Sequence, residues 1–248
     1  MEIVLDRYLF CISFNGAAYC GWQVQKNGVA VQEVVQDALE RILGLRHNIV
    51  ACSRTDAGVH ANNFYFHMDL ELKIPVLDFI FALNNVLPAD IVIKSIVLVK
   101  DWFHARYSCR CKEYIYKVYV KPLKNPFLKD LVLPYGRSLD IDNIIKASKF
   151  FLGRHNFTSF CSSKCYVQDK VRTIYSIDIK SEDDIVTFKI KGDGFLYNMV
   201  RIMIGTLIEV SEGRFCSSDI KDILKNTNRK YAGRTVKASG LYLNEVYY

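Results

Sequence analysis

Tyr8-Leu9-Phe10-Cys11-Ile12-Ser13-Phe14 puts Tyr8, Phe10, Ile12 and Phe14 on one face and Leu9, Cys11 and Ser13 on the other. That period of two is a strand. A polar, Gly-containing loop runs on to Gly28. Val31, Val34, Val35, Ala38, Leu39, Ile42 and Leu43 then recur at helical spacing, and Gly44 stops the helix. Asn48–Ser53 predicts a short strand, and Phe64, Phe66, Met68 and Leu70 alternate as another. Pro75 opens a helix that reaches about Leu87, and Ile91–Val99 reads as an apolar strand. The order is β-α-β-β-α-β, the ferredoxin-like unit.

The remainder of the chain repeats that order with longer connections. Tyr114–Val120 alternates as a strand. Ile141, Ile144, Ile145, Phe151 and Leu152 mark a helix beginning near Asp140. Tyr175, Ile177 and Ile179 predict a strand whose hairpin partner holds Val186, Phe188 and Ile190. Leu196, Met199, Val200, Met203, Ile204, Leu207 and Ile208 form a strongly apolar helix, with Arg201 expected on the border of its stripe. A further helix around Ile220–Leu224 precedes a last strand, Leu241–Tyr247. The fold class expected is α+β, with two ferredoxin-like halves, residues 1–105 and 106–248. No Ser/Gly/Pro-rich linker parts them, so their antiparallel sheets are expected to pack together or join.

The composition fits a globular chain. It has 248 residues and a mass of 28.6 kDa, half of it hydrophobic and 24% charged. The most apolar stretch, Ile74–Val99, is interrupted by Asp78, Asn84, Asn85 and Asp90, and no run nears the roughly 18 residues of a membrane span. The start, Met-Glu-Ile-Val-Leu-Asp, is acidic where a signal peptide would be basic. The eight cysteines, at 11, 20, 52, 109, 111, 161, 165 and 216, are therefore read as reduced thiols in a cytoplasmic protein. Neither Cys109-x-Cys111 nor Cys161-x₃-Cys165 has zinc-knuckle spacing, so no metal is expected. Gly192-Asp193-Gly194 lacks the Gly-Lys-Ser/Thr of a phosphate loop and reads as a turn. A net charge of +7 suits a polyanionic partner without requiring one. No segment carries the Gly-Phe-rich consensus of the common RNA-recognition module, which counts against a plain binding module.

The segment richest in chemistry is Ser53-Arg54-Thr55-Asp56-Ala57-Gly58-Val59-His60-Ala61. Two readings compete. Asp56 and Gly58 can be simple turn residues, or the loop displays a carboxylate beside an arginine, able to act as nucleophile or base. Arg54 to Ala61 resembles the catalytic signature of the TruA family of tRNA pseudouridine synthases. Five further segments resemble that family's motifs in family order. They are Phe14–Gln25, Phe103–Arg106 with Tyr114–Tyr116, Gly153–Phe160, Gly192–Arg201 and Ala238–Leu243. Departures occur at Ala17, at Ala51-Cys52-Ser53 and at Lys237, and none touches Arg54, Asp56, Tyr114 or Arg201.

The resemblance implies a pseudouridine synthase fold and an isomerase that converts uridine to pseudouridine at positions 38 to 40 in the anticodon arm of tRNA. It implies Asp56 as the catalytic carboxylate. An unpaired carboxylate in a dry pocket takes up a proton, whereas a neighbouring cation keeps it charged. By resemblance that cation is Arg201. Tyr114 would lie against the target uracil and Leu241 would line the same pocket, although either residue type is equally at home in a core. Arg54 would sit near the RNA backbone and help hold the flipped nucleotide. Nothing is oxidised and no group is imported, so no cofactor is expected. A homodimer binding tRNA across both subunits is implied, with no membrane partner. A paralogue with other RNA targets, or a non-catalytic RNA-binding protein of the same fold, are the competing readings. The cluster Arg229, Lys230, Arg234 and Lys237 reads either as a solvated face or as a contact for the RNA backbone.

Overall fold

A computed structural model describes residues 5–248; Met1–Val4, part of the acidic start read against a signal peptide, lie outside the described residues. In chain order the elements are β1 (Asp6–Phe14), α1 (Val31–Leu43), β2 (Val50–Ala51), β3 (His60–Leu70), α2 (Val76–Val86), β4 (Ile91–Val99), β5 (Cys111–Tyr119), β6 (Leu133–Pro134), α3 (Ile141–Ser148), β7 (Gly153–Asn156), β8 (Val171–Glu182), β9 (Ile185–Gly192), α4 (Met199–Ser211), α5 (Asp219–Asn226) and β10 (Leu241–Tyr247). The chain divides into two units, one running to Arg110 and taking back Tyr242–Tyr248, the other spanning Cys111–Leu241.

In the first unit β1 pairs antiparallel with β3 on one side, Phe10 opposite Phe66, and with β4 on the other, Phe10 opposite Ile96. The short β2 lies antiparallel on β3, giving the ferredoxin-like order β4-β1-β3-β2. The last strand also returns to β3 and runs parallel to it, Tyr242 beside His60. The inward face of β1 and β3 is aromatic: Phe10 stacks on Phe66 at 4.6 Å and Trp22 on Phe64 at 4.1 Å. Helix α1 buries Val31, Val35, Ala38 and Leu39, and its Gly44 cap (φ 79) returns an N–H to Glu40. The expected strand over Asn48–Ser53 forms only at Val50–Ala51.

The second unit repeats the arrangement. β5 pairs antiparallel with β9, Tyr114 opposite Ile190, and β9 with β8. β5-β9-β8 is thus the counterpart of β1-β3-β2, with β7 added beyond β8 and β6 parallel to β5. Two expected helices are shorter than their periodicity. The first stops at Ser148 and passes through one 3₁₀ turn, Lys149–Phe151, before Gly153 (φ 92). The second begins at Met199 and not Leu196, because Asn198 takes a left-handed conformation, φ 61, that ends any helix upstream. Helix α4 also lacks the one-sided stripe. It is buried from Met199 to Val210 at every position except Arg201, so it is the centre of this unit's core. Among the described residues no helix is long and apolar enough to cross a membrane.

Candidate active site

Asp56 lies on the loop between β2 and β3, and the loop is fixed mainly through its backbone. Trp22 N–H donates to Thr55 C=O at 3.2 Å, Gly58 N–H to Tyr19 C=O at 3.2 Å, and Val59 N–H to Asp56 C=O at 3.2 Å. Two glycines permit the approach. A Cβ on Gly16 would stand 1.9 Å from Val59 O, and one on Gly21 (φ 105) would stand 2.4 Å from Thr55 O. No other residue fits either place without moving the loop. The loop that holds Gly16 and Gly21 is itself anchored, since Asn15 N–H donates to Asp90 C=O at 2.9 Å and Tyr19 Oη to Asp90 Oδ1 at 2.7 Å. Behind it, His60 Nδ1 accepts Gly16 N–H at 3.0 Å and the imidazole stacks on Tyr242 at 4.6 Å. On this frame Asp56 is half-buried and Arg54, two residues earlier, is exposed. Thr55 Oγ1 between them is buried, with no hydrogen-bond partner among the described residues.

Tyr114, Arg201 and Leu241 belong to the second unit. Tyr114 is buried on β5 and meets Phe195 edge-on at 5.0 Å. Arg201 donates from Nε to Val236 C=O at 2.8 Å and from Nη1 to Asn198 Oδ1 at 2.8 Å. The segment after Val236 is tied to β5 as well, because Tyr116 Oη donates to Lys237 C=O at 2.7 Å. Burial pushes the Tyr116 phenol well above its ordinary value, and the positive charge of Arg201 works against that rise. Leu241, four residues on, is buried. This unit therefore gathers the Tyr114 strand, the Arg201 guanidinium and the Val236–Leu241 segment.

Sequence reasoning passed over several residues that build these arrangements. Asn198 both turns the chain into α4 and accepts from Arg201; an Asn just before an apolar helix was the available signal. Val236 contributes only a carbonyl, which leaves no trace in a side-chain pattern. Three histidines lie against backbone groups: His67 Nδ1 accepts Ala105 N–H at 3.1 Å, His104 Nδ1 accepts Arg106 N–H at 3.1 Å, and His155 Nε2 lies 2.7 Å from Leu152 O. Among the described residues no three His, Cys, Asp or Glu side chains gather as metal ligands, and no disulfide forms. Asp193 lies in the turn after β9, where its Oδ1 accepts Thr173 N–H at 2.9 Å. Two members of the basic cluster are engaged internally. Arg234 pairs with Glu212 at 2.8 Å and Glu209 at 3.4 Å, and Arg229 donates to Ala232 C=O at 3.1 Å. Lys230 and Lys237 are exposed.

A family profile described as tRNA pseudouridine synthase matches residues 147–248. The tRNA pseudouridine synthase A of Staphylococcus aureus (strain bovine RF122 / ET3-1) is 43% identical over 241 residues, spanning 97% of this chain and 90% of that protein. The enzyme of the same name from strain JH1 is also 43% identical over 241 residues. Among solved structures, a chain of a Cbf5-Nop10-Gar1 complex aligns with a TM-score of 0.41 at 15% identity, over 96% of this chain and 49% of that one.

Proposed function

The chain belongs to the TruA family of tRNA pseudouridine synthases, and from that membership we propose how its residues carry the isomerisation. The activity is that of a tRNA pseudouridine synthase, an isomerase. The N1–C1′ bond of a uridine breaks, the uracil turns, and C5 bonds to C1′; C5 loses a proton and N1 gains one. Atoms balance without an oxidant or a donor group, so the reading includes no cofactor and no metal.

Asp56 is the catalytic carboxylate in this reading, through attack on C1′, attack on the base, or removal of a ribose proton. The observation that carries it is the loop's construction. Thr55, Asp56, Gly58 and Val59 are held by backbone hydrogen bonds and by two glycine contacts that no side chain could replace. A reacting group displaced by about 1 Å can lose a hundredfold in rate, so such rigidity is what catalysis would select. Arg201 is a substrate-binding residue in this reading, its fork able to hold an anionic group through two hydrogen bonds. Tyr114 lies against the uracil, Leu241 lines the pocket, and the exposed Arg54 meets the RNA backbone beside the flipped nucleotide.

The substrate positions in this reading are uridines 38 to 40 of the anticodon arm. The enzyme works in the cytoplasm as a homodimer that holds one tRNA across both subunits. Mapping pseudouridine in tRNA from cells with and without the protein tests this. Loss of modification confined to positions 38–40 is expected. Loss elsewhere would make the protein a paralogue with other targets, and no loss would make it a binder.

A further inference from the structure

The connection between β5 and β6, Val120–Val132, has features that the isomerisation does not use. Its base is closed. Val118 and Tyr119 pair with Leu133 and Pro134, Val120 N–H donates to Asp184 C=O at 3.0 Å, and Lys121 Nζ lies 3.2 Å from the Asp184 carboxylate. Its tip is stiffened. Pro122 and Pro126 fix two φ angles, and Asn125 Oδ1 accepts Phe127 N–H at 3.0 Å. Leu128 and Lys129 N–H fold back on Asn125 and Pro126 C=O at 3.1 and 3.3 Å. A loop with closed ends and its own internal bonds is a built element, and such loops are frequently functional.

This stiff tip presents apolar side chains to water. Leu123 is 82% exposed and Phe127 is 87% exposed. Fixing an aromatic ring in solvent brings no burial to the fold, so the gain comes when a partner covers it. Lys124 and Lys129 flank the ring, both exposed and neither in an ion pair among the described residues, and Asp130 is the loop's one acidic residue. An exposed aromatic between lysines matches the chemistry of unstacked nucleotides. The ring takes a base face and the ammonium groups take phosphates. A second copy of this chain, at +7, offers the lysines fewer acidic partners than a polyanion does.

We propose that Val120–Val132 is a second tRNA contact, with Phe127 stacking on an unpaired base and Lys124 and Lys129 meeting the neighbouring phosphates. This rests on the tRNA-modifying reading and extends it. Tyr114 lies six residues before Val120, which along a strand is roughly 20 Å. The contact therefore falls on a part of the tRNA distant from the nucleotide that Tyr114 would touch.

The test uses the full chain, a full-length tRNA transcript with a uridine at position 38, 39 or 40, and the isolated anticodon stem-loop. Phe127→Ala is expected to weaken full-length tRNA binding by about tenfold, the range of one lost base stack, and Phe127→Trp to restore it. Lys124→Gln and Lys129→Gln should each lower the slope of log Kd against log salt by about one. Stem-loop binding and the single-turnover rate at saturating tRNA should stay at the wild-type level. Unchanged binding by Phe127→Ala overturns the proposal, and so does an equal loss on the stem-loop. A shift of Phe127→Ala from dimer to monomer in sedimentation would make the loop a protein contact and overturn it as well. A wild-type protein that forms no pseudouridine in this tRNA would defeat the functional reading separately, leaving the binding comparison readable.

Discussion

Asp56 and Arg201 are held in different ways. The Asp56 loop is positioned by main-chain hydrogen bonds from Trp22 N–H, to Tyr19 C=O and within itself from Val59 N–H, and by the missing side chains of Gly16 and Gly21. Around Arg201 the work passes to side chains and charge. About two turns along α4, Glu209 is fully buried and accepts Arg234 N–H at 3.0 Å, with the Arg214 and Arg234 guanidinium groups 3.2 and 3.4 Å away. Glu212 on the same helix end takes Arg234 at 2.8 Å and the Tyr135 hydroxyl at 2.9 Å. A loop fixed by backbone tolerates changes in most of its side chains but no added Cβ at two places. A helix fixed by charge tolerates shape better than the loss of one partner.

The strongest challenge to this contrast is Arg201→Ala. It should lower the single-turnover rate by about a thousandfold, the scale of losing one electrostatic partner of a reacting group. Arg201→Lys should lose less, since it keeps the charge and gives up the fork. An active Arg201→Ala enzyme would remove Arg201 from the proposed site.

Gly16→Ala comes next, with a rate loss of about a hundredfold from displacing the loop. Its stability loss should be about 2 kcal/mol in chemical denaturation, the range of an overpacked contact between buried groups. Equal rates for Gly16→Ala and wild type would show that the loop's position does not matter. Glu209→Ala should behave in the opposite way. About 3 kcal/mol of stability should go with the buried pair, while the rate per folded molecule stays at the wild-type level.

The smallest effect separates the two units by pH. Burial holds the His67 imidazole down at about 4 from an ordinary 6.5, with the nearby Arg7 charge adding to it. The folded state therefore refuses a proton that the unfolded chain accepts, and stability falls as pH drops from about 6.5 to 4. The Arg234 hydrogen bond holds the Glu212 carboxyl down at about 2 from 4.5, so its contribution is complete above 4.5 and lost between 4.5 and 2. Urea midpoints at pH 7, 5 and 3 should decline in two steps, the lower one reduced by solvent screening at the exposed Glu212. His67→Gln should flatten the upper step and Glu212→Gln the lower. A His67→Gln protein with the wild-type upper step would assign that step elsewhere.

The strands and helices were legible because burial on one face leaves a period in the sequence. Tyr8–Phe14 and Phe64–Leu70 alternate, and they pair as β1 and β3. The misread ends have local causes. Asn198 and Gly153 impose left-handed backbone that apolar periodicity does not register. Helix α4 read as one-sided because its buried Gly205, Thr206 and Glu209 look polar or neutral, whereas each is enclosed by the Arg229–Val236 segment or its side chains. Arg234 read as a surface cation for the same reason: the acids it meets, Glu209 and Glu212, lie on another element. Of the site, the motif around Asp56 was visible through its resemblance to a family. The Gly16 and Gly21 contacts, the Asn198 bond and the Val236 carbonyl were not, because each depends on a partner brought near only by the fold.

Tritium release from tRNA carrying 5-tritiated uridine at positions 38 to 40 reads the isomerisation at the exchanged carbon, and comparing wild type with Asp56→Asn under single turnover tests the central assignment most directly. The account predicts release at every accepted uridine by the wild type and none by Asp56→Asn, with tRNA affinity within about tenfold because binding is spread over many phosphate contacts. Wild-type release by Asp56→Asn would contradict it.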